Sequence, residues 1–121
     1  MTATVQPVFG LVTLAERILD GVVPVPGGRA PRAAAVVARQ ALEEEVAARC
    51  AELATFVERP RMRSRLILLR HDDPEVGRIA QIAWDGLSAA VHHHSYELQP
   101  TSADVRSLLR LVATVVNSPS P

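Results

Sequence analysis

The stretch "DDPEVGRIAQIAWDGLSAAVHHHSYELQPTSADVR", residues 72–106, decides the fold. It opens on a strong helix start. Asp72 or Asp73 can accept a hydrogen bond from the first turn, Pro74 suits the first helical position, and Glu75 opposes the positive end of the helix dipole. Taking about 100° per residue, Val76, Ala80, Ala83, Leu87, Val91 and Leu98 fall on one stripe around Leu87. The pattern predicts a helix from Pro74 to about Leu98. Pro100 stops it, and "TSAD" caps a fresh helix from about Ser102 to Asn117. That last helix is amphipathic, with Val105, Leu108, Leu109, Val112 and Val116 on one side and Arg106 and Arg110 on the other.

The same period organises the rest. "VFGLVTLAERILDG" carries Val12, Ala15, Ile18, Leu19 and Val22 at helical spacing and closes at Asp20–Gly21, after a lead-in over residues 1–8. "VVPVPGGRAP" is a loop, rich in Pro and Gly. From Pro31 a long helix is expected to about Val57, with Ala35, Arg39, Leu42, Val46, Cys50, Leu53 and Val57 on its stripe and Glu43, Glu44 and Glu45 fanning away. Pro60 breaks it, and "RMRSRLILLR" gives a short helix to about Arg70. No segment alternates as a strand does. The expectation is an all-α antiparallel bundle of about five helices in one domain, 9–117, followed by a disordered tail at 118–121.

Composition limits the functional classes. The 121 residues are 48% hydrophobic and only 3% aromatic, so Ala, Val, Leu and Ile must build the core. The 13 basic residues, all Arg, balance 13 acidic ones, so no global field points to a nucleic acid or a membrane. The Arg-for-Lys and Ala-Val bias matches a GC-rich coding sequence. The single Cys50 excludes a disulfide framework, and no stretch reaches about 18 uninterrupted apolar residues. A soluble, cytoplasmic protein is expected.

The chemistry-bearing residues fall in two places. On the helical wheel His94 joins the Leu87 stripe, His93 flanks it and His92 points to the polar side, so the triplet occupies three environments. Only His93 and Glu97 have the four-residue spacing of paired helical ligands, and two ligands do not complete a zinc site. No metal and no cofactor is expected. His94 reads either as a satisfied core or interface histidine or as a group tuned for acid–base work. The second place is Arg59, Arg61, Arg63, Arg65 and Arg70, five arginines in twelve positions. They either pair with Glu43–Glu45 and Asp72–Asp73, within the chain or across a dimer, or hold phosphate in forked hydrogen bonds. No aromatic residue is interleaved for base stacking. Arg39, on the apolar stripe, either pairs with Glu43 one turn on or joins the phosphate-holding set.

The long helix "RAAAVVARQALEEEVAARC", then "RMRSRLILLR", then "IAWDGLSAAVHHHSYELQPT" resembles the HEPN (higher eukaryotes and prokaryotes nucleotide-binding) superfamily, especially its small members from GC-rich bacteria, over roughly residues 10–115. The resemblance implies a four- or five-helix bundle, homodimerisation across the long helices, and a place in toxin–antitoxin or phage-defence systems beside an antitoxin-like partner. Many such proteins are metal-independent ribonucleases. Their signature is an Arg, a polar residue and a His four to six positions further on. Arg and His from two protomers meet in a cleft, where cations stabilise charge as the RNA 2′-hydroxyl attacks its phosphate. Arg65 and His71 in "RLILLRH" match that spacing, with Leu66 in the polar position.

Three readings follow. An RNA- or nucleotide-acting protein would use His94, His93 or the Arg65–His71 pair for catalysis and Arg59, Arg61, Arg63 and Arg39 for substrate. A non-catalytic dimeric interaction module would use them as interface groups. A helix-turn-helix DNA reader built on "ELQPTSADVRSLLR" has few polar base-reading side chains.

Overall fold

The computed structural model describes residues 5–53, 61–92 and 99–120. The described residues form five helices and no strand: α1 (Val5–Leu19), α2 (Ala30–Leu53), α3 (Met62–Asp72), α4 (Pro74–Val91) and α5 (Ser102–Asn117). The all-helical bundle expected from the periodicity is the fold.

Helix α2 is the hub, packed against each of the other four. Its apolar positions are small, with Ala34, Ala35, Ala38 and Ala41 fully buried, so neighbouring helices approach closely around Leu42 and Val46. Its long polar side chains fix the direction of those neighbours. Arg32 Nε donates to the Val91 carbonyl at 3.1 Å and Arg39 Nε to Ser88 Oγ at 3.1 Å, so α4 runs antiparallel to α2. Arg49 reaches the carbonyls of Val115 (2.8 Å) and Ser118, so the C-terminal ends of α2 and α5 lie together. Asp20 at the end of α1 meets Arg106 near the start of α5 at 2.7 Å. Helices α1, α2, α4 and α5 thus alternate in direction, and short α3 closes the end where α2 finishes and α4 begins.

Local sequence sets the helix ends. Gly21, at φ 78°, ends α1, with Val22 N–H donating to Arg17 O at 2.9 Å and Gly21 N–H to Ile18 O at 3.2 Å. This paired arrangement satisfies the last carbonyls and needs a left-handed residue that glycine supplies without strain. Asp73, with Pro74 behind it, caps α4 through Oδ1 accepting from Val76 N–H at 3.2 Å. Thr101 caps α5 by accepting from Asp104 N–H at 3.1 Å.

Several boundaries differ from the sequence expectation. Helix α1 starts at Val5, inside the expected lead-in, because Val8 is a core residue (2% exposed) and Pro7 is tolerated in a first turn. Helix α3 continues to Asp72, which takes His71 into its last turn. Helix α4, expected to reach Leu98, ends at Val91, with His92 at its C-cap (φ −102°, ψ 27°) donating its N–H to Ser88 O. The expected run of α2 to Val57 passes beyond the described residues, and Leu53, on the expected stripe, is exposed.

Candidate functional site on helix α3

Helix α3 is packed against both α2 and α4. Leu66 and Leu69 enter the core, and the Arg65 carbonyl accepts from Cys50 Sγ on α2 at 3.3 Å. Gly77 on α4 lies so close that a Cβ there would sit 2.5 Å from Arg70 Cα. With that side fixed, an adjoining side of the helix faces solvent. Arg63, Ile67 and Arg70, at spacings of four and three, fall within about 60° of one another and are all exposed. Ile67, 63% exposed, is the most exposed large hydrophobic side chain of the described residues. Ser64 and His71 are exposed further round the helix, Arg61 is exposed at its N-cap, and Arg65 is half-buried.

The charges of this helix are not neutralised within the described residues. Ion pairs there join Arg49 to Glu45, Arg78 to Glu75 and Arg106 to Asp20. Arg61, Arg63, Arg65 and Arg70 form none of them, although Glu43–Glu45 lie on α2, Asp72 ends α3 itself and Asp73 follows it. The expected intramolecular pairing of the cluster is therefore absent among the described residues. Arg59 lies outside them.

The other candidate residues are dispersed. Arg39 does not pair with Glu43. Its guanidinium stacks 4.0 Å from the Trp84 ring centroid and donates to Ser88, so it ties α2 to α4 instead. Arg39 is half-buried where α2 packs against α4, which puts Trp84 and Ser88 within its reach. His92 is exposed at the end of α4 beside Val91, whose carbonyl Arg32 holds. His93 and His94 lie outside the described residues, as do Tyr96 and Glu97. Arg65 and His71 are six positions apart and diverge by about 120° around the α3 axis. From Gly77, beside Arg70, to His92 is fifteen residues of chain, or about 22 Å of helix. The α3 arginines and His92 therefore occupy opposite ends of the bundle.

Arg49 is the residue the sequence reading missed. It is buried and bonded to Glu45 at 2.8 Å as well as to the end of α5. The four-residue Glu45–Arg49 spacing next to Cys50 was the available signal. Cys50 itself is buried, and burial pushes its thiol above the usual range, partly offset by Arg65 nearby. Among the described residues no group of three or more His, Cys, Asp or Glu side chains is placed to hold a metal ion, and no helix is long and apolar enough to cross a membrane.

No protein-family model, curated protein or solved structure matches this chain.

Proposed function

We propose that this chain is an RNA-binding helical bundle of HEPN type, in which Arg61, Arg63 and Arg70 of the α3 region hold phosphate. The observation that supports this reading is the set of exposed guanidinium groups without carboxylate partners among the described residues, in a chain of zero net charge. Arginine binds phosphate oxygens in a fork, and a strip of such groups tracks a backbone without reading bases. Helix α3 carries no Phe, Tyr or Trp side chain, so recognition is chiefly by backbone and shape.

Metal-independent cleavage is the catalytic form of this reading. Because Arg65 and His71 diverge within one chain, the reactive pair is assembled from two copies, with the cation of one facing the histidine of the other. A mixture of Arg65→Ala and His71→Ala chains, each inactive alone on transfer RNA in EDTA, then regains about a quarter of wild-type cleavage through mixed dimers. Wild-type protein that leaves RNA intact would restrict the function to binding.

Binding is tested by fluorescence anisotropy with labelled transfer RNA over a salt series. The Arg63→Gln/Arg70→Gln protein is expected to lower the slope of log K against log salt by about 1.5. An unchanged slope removes α3 from the interface. A second reading, a non-catalytic module that docks an acidic, antitoxin-like protein, is favoured by Ile67, an apolar side chain between two arginines that phosphate does not need. Ile67→Ser leaves the RNA slope unchanged on the first reading and abolishes partner capture on the second.

A further inference from the structure

At the opposite end of the bundle from α3, helices α1 and α5 enclose an open groove of about 320 Å³, lined by Glu16, Asp20, Arg106, Leu109, Arg110 and Ala113. The two helices run antiparallel, so the acids on α1 and the arginines on α5 stand one turn apart along facing walls. One acid and one arginine are joined: Arg106 Nη2 donates to Asp20 Oδ1 at 2.7 Å. Glu16 and Arg110, the next positions along, are both exposed and form no ion pair with each other. Leu109, buried in the core, and Ala113 line the groove with hydrocarbon.

The lining charges sum to zero but are segregated by wall. A simple anion meets Glu16 and Asp20 as well as the arginines, and a simple cation meets the reverse. A ligand with no net charge and a large dipole gains from both walls at once. From this we infer that the α1–α5 groove binds a small zwitterion with an apolar side chain, a free amino acid in chemical class. Its carboxylate would accept hydrogen bonds from the Arg110 guanidinium, its ammonium would donate to the Glu16 carboxylate, and its side chain would lie over Leu109 and Ala113. This inference is independent of the RNA reading, since it uses no residue of α3.

The test is an amide NMR titration of the full chain with L-leucine, N-acetyl-L-leucine and L-leucinamide. Leucine is expected to give saturable shifts at Leu109, Arg110 and Ala113, with a Kd on the order of 10 mM for a ligand of this size. N-acetyl-L-leucine lacks the ammonium and leucinamide the carboxylate, and each is expected to bind about two- to fivefold more weakly. Glu16→Gln and Arg110→Gln should each lower leucine affinity by a similar factor while leaving the Asp20–Arg106 pair and the remaining spectrum unchanged. No saturable shift below about 50 mM leucine, or equal shifts with all three compounds, overturns the inference.

Discussion

The guanidinium of Arg39 lies 4.0 Å from the centre of the Trp84 ring while its Nε donates to Ser88 Oγ at 3.1 Å. One side chain of α2 therefore grips two positions of α4 that are a turn apart, just before the chain enters the histidine triplet. Arg39→Ala is expected to cost about 2 kcal/mol, the stacking and hydrogen-bond contributions together. Trp84 is the only tryptophan, so its fluorescence reports this contact directly. Urea unfolding followed at Trp84 checks both the stability and the environment of the ring. An unchanged midpoint and spectrum would show that the stack contributes nothing.

Arg49 makes a second prediction. Its guanidinium is buried, paired with Glu45, and supplies donors to the Val115 and Ser118 carbonyls at the end of α5. Arg49→Met keeps most of the volume but strands a carboxylate and two carbonyls, which should destabilise the bundle by about 3 kcal/mol. The double variant Arg49→Met/Glu45→Leu should recover part of that loss, because the stranded charge is gone. Chemical denaturation of the three proteins separates these outcomes.

Two glycines should respond in opposite directions to the same change. A methyl at Gly77 meets the Arg70 backbone at 2.5 Å, so Gly77→Ala forces α3 away from α4 at a cost of about 2 kcal/mol. Gly10 lies within α1 with nothing near its Cβ position among the described residues, so Gly10→Ala should stabilise the protein by about 0.5–1 kcal/mol. Thermal unfolding compares the pair.

Cys50 gives a pH prediction. Burial raises its folded-state thiol above the unfolded range. A raised pKa favours the protonated form in the native state, so its stabilising contribution is complete below the ordinary thiol range and is lost as pH climbs from there up through the raised folded-state value. Iodoacetamide labelling should be slow in native buffer at pH 8 and fast in urea at the same pH. Equal rates would place Cys50 at the surface.

The periodicity of apolar residues made most of this architecture legible. Asp73–Pro74, Thr101 and Asp20–Gly21 mark helix ends because each supplies a specific hydrogen bond or backbone conformation, and those ends fall where the spacing predicts. The end of α4 was not legible: the apolar stripe continues in the sequence past Val91, whereas the α-helix stops there with His92 at its cap. Partners across helices were equally hidden. Arg39 has Glu43 at an ideal helical spacing, yet it turns to Trp84 and Ser88, which are 45 and 49 residues away in the chain and adjacent only once α2 and α4 have packed. The arginine cluster was visible as composition, but its exposed strip, Arg63–Ile67–Arg70, depends on which side Leu66 and Leu69 bury.

The most direct test of the RNA reading is a map of where RNA touches the protein. Amide NMR spectra recorded with and without a short RNA hairpin should show shifts concentrated at Arg61, Arg63, Ile67 and Arg70, fading as salt is raised. Shifts confined to other helices, or none at low salt, would contradict a phosphate-holding role for α3.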